Sequence, residues 1–494
     1  MAGIGVRLNR IFEKKSVLSS MIGFAYSTIA TVAPMVLVIL NIVLMGWVLK
    51  LNQTTYLERE VFFCTVLYIF IFALLTTAPF NAVSSKYMQD AIFEERYQDI
   101  LPCYYLGLML NIVLSCLLGI PFCLWEHFVG EVSVFYVFVG FCGYISLVFV
   151  FYSMIYLSIC KDYQKISFYF LLGMLASFLL AVVLWRFFYW EATISILFSL
   201  MAGFFLIAVM EFATIKRYFM RNSNRYKHVM RYYGKWWQLM AANFLYILGL
   251  YIHNFVFWTS EMRIVVVESF VCNQPYDMAT CIAMFTNISA TVIFIARIEM
   301  HFHEKYRAYS EAVIGGKRAD IENTQRRMFR QINNELMSLV RIQFIISVVV
   351  YLLCIVFLPE FGLGGMVMRI YPCMAAGYFI LFLMYAAILF LYYYNDLAGA
   401  VLTTFCFCGV TFLGSIVAMH MSEIWYGLGV LLGAFAGWTI AYGRLRRVER
   451  NLERNIFCKG LLLKRGSGKK PASMVYQKSD GRQKGTKKWK REAS

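Results

Sequence analysis

The chain reads as an all-α integral membrane protein of about twelve transmembrane helices in two halves. Composition is the first sign: 61% of residues are hydrophobic and 15% charged, with 44 Phe and 33 Tyr. Soluble domains hold about 45–50% apolar and about 25% charged residues. Second, the apolar runs reach the roughly 20 residues of a helical span and are continuous rather than alternating, unlike the strands of a membrane barrel. Third, Lys and Arg concentrate in every other loop.

The spans follow in order of length and hydrophobicity. They are Ser16 to Trp47 with Pro34, Val61 to Ala82 with Pro79, Leu101 to Trp125, Val132 to Ile159, Ile166 to Phe188 and Thr193 to Ala213. A basic loop comes next, and then Trp236 to Trp258, Met278 to Ile295, Val340 to Leu358, Tyr371 to Tyr394, Leu397 to Ala418 and Ile424 to Tyr442. The first run is too long for a signal core and has no clear cleavage site, so it is expected to be retained.

Orientation follows from charge. One set of loops carries Lys86 and Arg96, Lys161 and Lys165, then Lys216, Arg217, Arg221, Arg225, Lys227, Arg231 and Lys235. A polar insert adds Lys305, Arg307, Lys317, Arg318, Arg326, Arg327 and Arg330. The opposite loops offer little beyond Lys50, Arg59, Arg186, Arg263 and Arg369. This predicts a cytoplasmic membrane protein with both termini inside. From Arg444 onward stand 17 Lys and Arg against four acidic residues, so much of the chain's +18 is a basic tail suited to anionic lipid rather than nucleic acid.

The expected organisation is an N-terminal lobe over 1–215, a basic linker over 216–235, a C-terminal lobe over 236–447 with an insert at 301–339, and a disordered tail over 448–494. In the insert, Gly315-Gly316 breaks the pattern and Asp320 is a candidate N-cap. The spacing of Met328, Ile332, Leu336 and Leu339 fits a helix on the membrane surface or one that continues into the ninth span. Most cysteines sit in apolar spans and read as packing. Cys272 and Cys281 flank an outward loop and are a candidate disulfide pair.

No catalytic or metal constellation stands out among six His and 13 Cys. There is no Walker-type loop, and no soluble domain to hold a transferase. Enzymatic activity and a cofactor are therefore not expected, and transport is. Polar groups at membrane depth are the functional candidates. In the seventh span Asn243 and Asn254 lie eleven residues apart, within roughly 20° of one helix face. Tyr246 and His253 flank that face on one side. Tyr26 and Thr31 near Pro34, Asn81 near Pro79, and Asn287 in the eighth span add to a substrate path, with Pro34 and Pro79 as bending points. Each of these polar groups equally fits an interhelical hydrogen bond. Arg186 and Arg369 fit either snorkelling or contact with a substrate at the outer mouth.

The opening Met1-Ala2-Gly3-Ile4-Gly5, the short basic stretch after it, and Ala33-Pro34 resemble the start of the Pel exopolysaccharide transporters. Asn243 to Trp258 resembles that family's seventh span, and the similarity covers about Met1 to Arg447. The resemblance implies the flippase superfamily of polysaccharide and multidrug exporters, with two six-helix lobes around a central cavity. It also implies biofilm polysaccharide export beside a cytoplasmic glycosyltransferase and membrane subunits that sense cyclic-di-GMP. Three other readings stay open: a lipid-linked oligosaccharide flippase, an ion-coupled multidrug exporter, and a scaffold subunit of a synthase. The ion-coupled reading predicts an essential buried carboxylate, and the central spans show few: Glu211 and Asp396 sit near inner ends.

Overall fold

The computed structural model describes residues 17–160, 162–285, 309, 311–313, 315, 317–357, 359 and 365–450, with backbone alone for 17–32, 332, 335 and 339. The first lobe contains α1 (Val17–Val48), α2 (Tyr56–Phe93), α3 (Ile100–Phe128), α4 (Val134–Ile159), α5 (Tyr163–Phe187) and α6 (Ala192–Tyr218). A short helix, α7 (Tyr226–Lys235), leads to α8 (Trp237–Phe257). An antiparallel hairpin follows, β1 (Ile264–Val266) with β2 (Phe270–Cys272), in which Ile264 faces Cys272 and Val266 faces Phe270. Helix α9 occupies 274–285 at the edge of the described residues. The second lobe continues with α10 (Arg318–Phe357), α11 (Met366–Tyr393), α12 (Leu397–Met419) and α13 (Leu428–Arg450).

Among the described residues ten helices are long and apolar enough to cross a membrane. With α1 and α9, which border residues not described, the described residues hold six helices in each lobe besides the linker helix. The helices start where short polar side chains can satisfy their first N–H groups. Thr55 accepts from Glu58 N, Ser133 from Tyr136 N and Asp396 from Gly399 N.

The lobes repeat one packing scheme. In the first, α1 packs on α5, α3 on α4, α4 on α6 and α5 on α6. In the second, α8 packs on α12, α10 on α11, α11 on α13 and α12 on α13. Lipid tails are as apolar as the side chains, so close backbone approach between helices matters more than burial of apolar area. Helices α5 and α6 meet at Gly173 and Gly203. A Cβ on Gly203 would lie 2.9 Å from the Gly173 carbonyl and 2.8 Å from Ser177 Cβ.

Three expectations are corrected, and the alternative left open for the insert is decided. The basic loop holds a helix, α7, because Val229 and Tyr233, four residues apart, share a buried face against the first lobe while its basic residues point away. The insert's second segment and the ninth span form one continuous helix, α10. Asp320 lies in that helix's first turn and accepts from Lys317 N at 3.2 Å, so it is not the N-cap. Cys281 sits exposed on α9, while Cys272 is buried on β2, and the two are not paired.

At the loop end of α5 and α6, the Tyr218 hydroxyl and the Lys165 ammonium both donate to Asp162, the latter at 2.9 Å. Burial works against the Asp162 charge. The bonds from Tyr218 and Lys165 outweigh it and hold the carboxyl below its ordinary range. A lowered folded value means the stabilisation is present above the unfolded value and is lost as pH falls through the folded one. Asp162→Asn is therefore expected to lower the thermal midpoint in detergent at pH 7, and the gap to wild type should close only below about pH 4. Gly203→Leu is expected to cost about 1–3 kcal/mol by overpacking, seen as a lower midpoint. Gly443→Leu, a site with open space around it, should leave the midpoint unchanged.

Candidate functional site: the seam between the lobes

Helix α2 packs on α4 within its own lobe and on α8 of the other. The seam between α2 and α8 crosses a weak point in α2. Pro79 has no N–H, which leaves the Leu75 carbonyl without its intrahelical donor. Just before it, the Thr76 and Thr77 hydroxyls fold back onto the Phe72 and Ala73 carbonyls at 2.8 and 2.7 Å, a pattern that bends helices. Into this place Asn243 of α8 donates its amide to the Ala78 carbonyl at 2.5 Å. Three residues past Ala78 in α2, Asn81 is half-buried, and its carbonyl oxygen is buried with no partner among the described residues.

The hairpin end of the seam is aromatic. Tyr68 stacks on Trp258 at 4.9 Å and 9°, and Phe72 stacks on Phe255 at 6.2 Å. The Tyr68 hydroxyl donates to Val271 O at 2.7 Å and accepts from Val271 N at 3.1 Å, which fastens the hairpin to α2. The turn places Val267 and Glu268 at φ 53° and 52°. This left-handed conformation is costly for a β-branched valine, so tertiary packing holds the hairpin in shape.

The opposite end is polar. Tyr233 of α7 bonds Ser84 at 2.5 Å, and Ser84 also bonds Tyr152, which bonds Tyr156. Tyr232 donates to Asp90 at 2.6 Å, and the Lys86 ammonium lies 4.4 Å from the Trp236 ring centre.

The other predicted residues of α8 find their partners within the second lobe. His253 is fully buried inside the second lobe, with Nδ1 at 2.9 Å from the Tyr276 hydroxyl and Nε2 at 3.5 Å from that of Tyr378. Tyr246 stacks on Tyr385 at 5.1 Å. Asn254 donates to Asp277 at 2.7 Å, and Trp258 Nε1 and Asn273 N converge on the same carboxylate at 3.0 and 3.1 Å. Pro34 and Pro79 lie inside α1 and α2. The side chains of Tyr26 and Thr31, and all of Asn287, fall outside the described residues. Arg369 pairs with Glu423 at 3.2 Å, and Arg186 is exposed.

Of the two candidate carboxylates, Asp396 caps α12 and forms a two-pronged pair with Arg444 at 3.0 and 2.7 Å. Glu211 is fully buried in α6, with no partner for either oxygen among the described residues. Asp277, Tyr276, Tyr378, Tyr68 and the hairpin were missed from sequence. The Ile264-Val265-Val266 run was the available strand signal. Asp277 gave none, because it stands at a span edge where carboxylates are ordinary.

The sequence model of the family described as "PelG: Putative exopolysaccharide Exporter (EPS-E)" matches residues 1–457. No curated protein sequence matches the chain. Among solved structures, the chain is similar to an outward-facing multidrug resistance MATE family transporter of the MOP superfamily, with a TM-score of 0.60 and 11% identity over 86% of this chain and 96% of that one. An inward-facing transporter of the same description gives 0.54 and 12% over 86% and 96%. The MATE transporter ClbM in complex with Rb+ gives 0.57 and 13% over 87% and 96%. At these identities the likeness is one of fold: two lobes of six helices.

The Asn254–Asp277 contact is separable by a double-mutant cycle. Asn254→Leu is expected to cost about 1.5–3 kcal/mol by removing a donor from a charged acceptor, seen as a lower thermal midpoint. Asp277→Leu in the same background should cost less than it does alone.

Proposed function

Because this chain belongs to the PelG family of exopolysaccharide exporters, we propose that the α2–α8 seam lines the route by which it moves polysaccharide across a membrane. The protein is a multi-pass membrane transporter of the polysaccharide-export or flippase type. The family match extends over both lobes, and one contact within them carries the proposal for the seam. Asn243 of one lobe holds the Ala78 carbonyl of the other beside Pro79, and three residues on in α2 the Asn81 carbonyl oxygen is buried with no partner among the described residues.

Sugars present hydroxyls that pair with amides and faces that pack on aromatic rings. Asn81 and Asn243 offer the first, and Tyr68, Phe72, Phe255 and Trp258 the second. In this reading Asn254 and His253 shape the helix from behind, and Tyr26, Thr31 and Asn287 extend the path. Helix α7 and the basic loops face the cytoplasm with both termini, by the excess of Lys and Arg there, and the hairpin faces outward. The basic surface of α7 suits anionic lipid or a cytoplasmic glycosyltransferase working with further membrane subunits. A lipid-linked oligosaccharide would use the same seam, with its lipid outside it.

The test is polysaccharide secretion from cells whose own gene is replaced by Asn81→Leu, Asn243→Leu or both, with membrane abundance measured in parallel. The expected result is normal abundance with secretion reduced at least tenfold in the double variant. Normal secretion would remove these residues from the path and favour a scaffold role. Asn243→Gln, which keeps the amide, should retain more secretion than Asn243→Leu.

A further inference from the structure

Beside the aromatic end of the seam the structure places two cysteines that the transport reading does not use. Cys64 lies on α2 and Cys272 on β2, 208 positions apart in sequence. Both are buried in one hydrophobic core cluster. The match between helix and strand explains why they meet. Cys64 and Tyr68 are one helical turn apart, about 6 Å along α2. Phe270 and Cys272 lie on the same face of β2, two residues apart, or about 6.7 Å. Phe270 packs edge-on against Tyr68 at 5.1 Å, and the Tyr68 hydroxyl bonds both backbone groups of Val271. With that contact fixed, the next step along each element brings Cys64 to Cys272. Phe270, Cys272 and Val266 all belong to the core of the first lobe, although the hairpin is covalently part of the second.

We propose that Cys64 and Cys272 form a disulfide that fastens the hairpin of the second lobe to α2 of the first. The proposal rests on the orientation given above, in which the hairpin faces the oxidising side of the membrane. The oxidant is the disulfide of an oxidised dithiol protein of that compartment. The Cys272 thiolate attacks it to form a mixed disulfide and expels one thiol. The Cys64 thiolate then displaces the second thiol and closes the bond. Two protons and two electrons leave the pair, and the partner's disulfide is reduced to two thiols. Cys281 is exposed on α9 and takes no part.

Peptide mapping of the full-length protein decides this. Cells are quenched with an alkylating agent before lysis, and the purified protein is digested without reductant. A second sample is purified reduced and then oxidised in detergent with diamide. The expected product in both is one cross-linked species joining the Cys64 and Cys272 peptides, two hydrogens lighter than their sum. It should be abolished in Cys64→Ser and in Cys272→Ser and retained in Cys281→Ser. Alkylated Cys64 and Cys272 in both samples would overturn the pairing itself, as would a species joining Cys272 to Cys281. Linkage in detergent with free thiols in cells would overturn the assigned orientation and with it the disulfide in the living membrane, while leaving the seam and its transport test untouched.

Discussion

An amide of the second lobe, Asn243, bonds the backbone of the first at the place where that backbone is weakest. In hydrocarbon every backbone polar group needs an internal partner, and each one left without costs several kcal/mol. Pro79 removes one donor from α2, and the Thr76 and Thr77 hydroxyls engage carbonyls already used by the helix. Asn243 then bonds Ala78 from across the seam. Because α2 also packs on α4, relative movement of the lobes has to shear α2 against one neighbour or bend it at Pro79. The bend is the softer response, and the Asn243 amide restrains it. Sequence position, helix mechanics and the contact between the lobes therefore meet in one hydrogen bond.

The two lobes share a packing scheme but hold their buried polarity differently. The first lobe buries the carboxylate Glu211 without a partner among the described residues, and its hydrogen-bonded network there runs through hydroxyls: Ser84, Tyr152, Tyr156 and Tyr233 in one chain, and Tyr104 with Ser153 at 2.7 Å. Hydroxyls both donate and accept, so such a chain can reverse its direction without leaving a group unpaired. In the second lobe the interior centres on a carboxylate, Asp277, which accepts from Asn254, Trp258 and Asn273. An acceptor with fixed donors orients its neighbours, and it aligns the end of α8 with the start of α9. The hydroxyl chain lies near the linker and the carboxylate near the hairpin, so the two ends of the seam are built from different chemistry.

The fold was legible because hydrocarbon imposes a length and a composition that few other environments do. The first span, read as ending at Trp47, ends in α1 at Val48. Errors arose where a helix outlasts its apolar stretch. Helix α2 continues past Ala82 to Phe93, since its later turns pack on the linker rather than on lipid. The surface alternative for the insert failed because no breaker separates Leu339 from Val340. At the site, the spacing of Asn243 and Asn254 gave their shared side of α8 but not their neighbours. Periodicity fixes an angle about the helix axis. Whether that angle meets a carbonyl, a carboxylate or a cavity depends on elements far away in sequence. His253 illustrates this: its partners are Tyr276 and Tyr378, 23 and 125 positions distant.

The two ends of the seam are closed by interactions of similar size. At the hairpin end, aromatic pairs such as Tyr68–Trp258 contribute about 0.5–1.5 kcal/mol each beyond burial, with the two Tyr68–Val271 bonds beside them. At the linker end, the Tyr233–Ser84 and Tyr232–Asp90 bonds contribute on the order of 1 kcal/mol net apiece, more where the carboxylate is charged. Neither closure exceeds the other by much more than a few kcal/mol, and a ligand with a preference of that size for one arrangement can shift the balance. A protein whose lobes were held shut by a large apolar interface at one end would lack this property. A covalent bond between Cys64 and Cys272 would remove it at the hairpin end, because opening there would then have to carry the hairpin along with α2. The redox state of two buried thiols would thereby set which end of the seam is free to part.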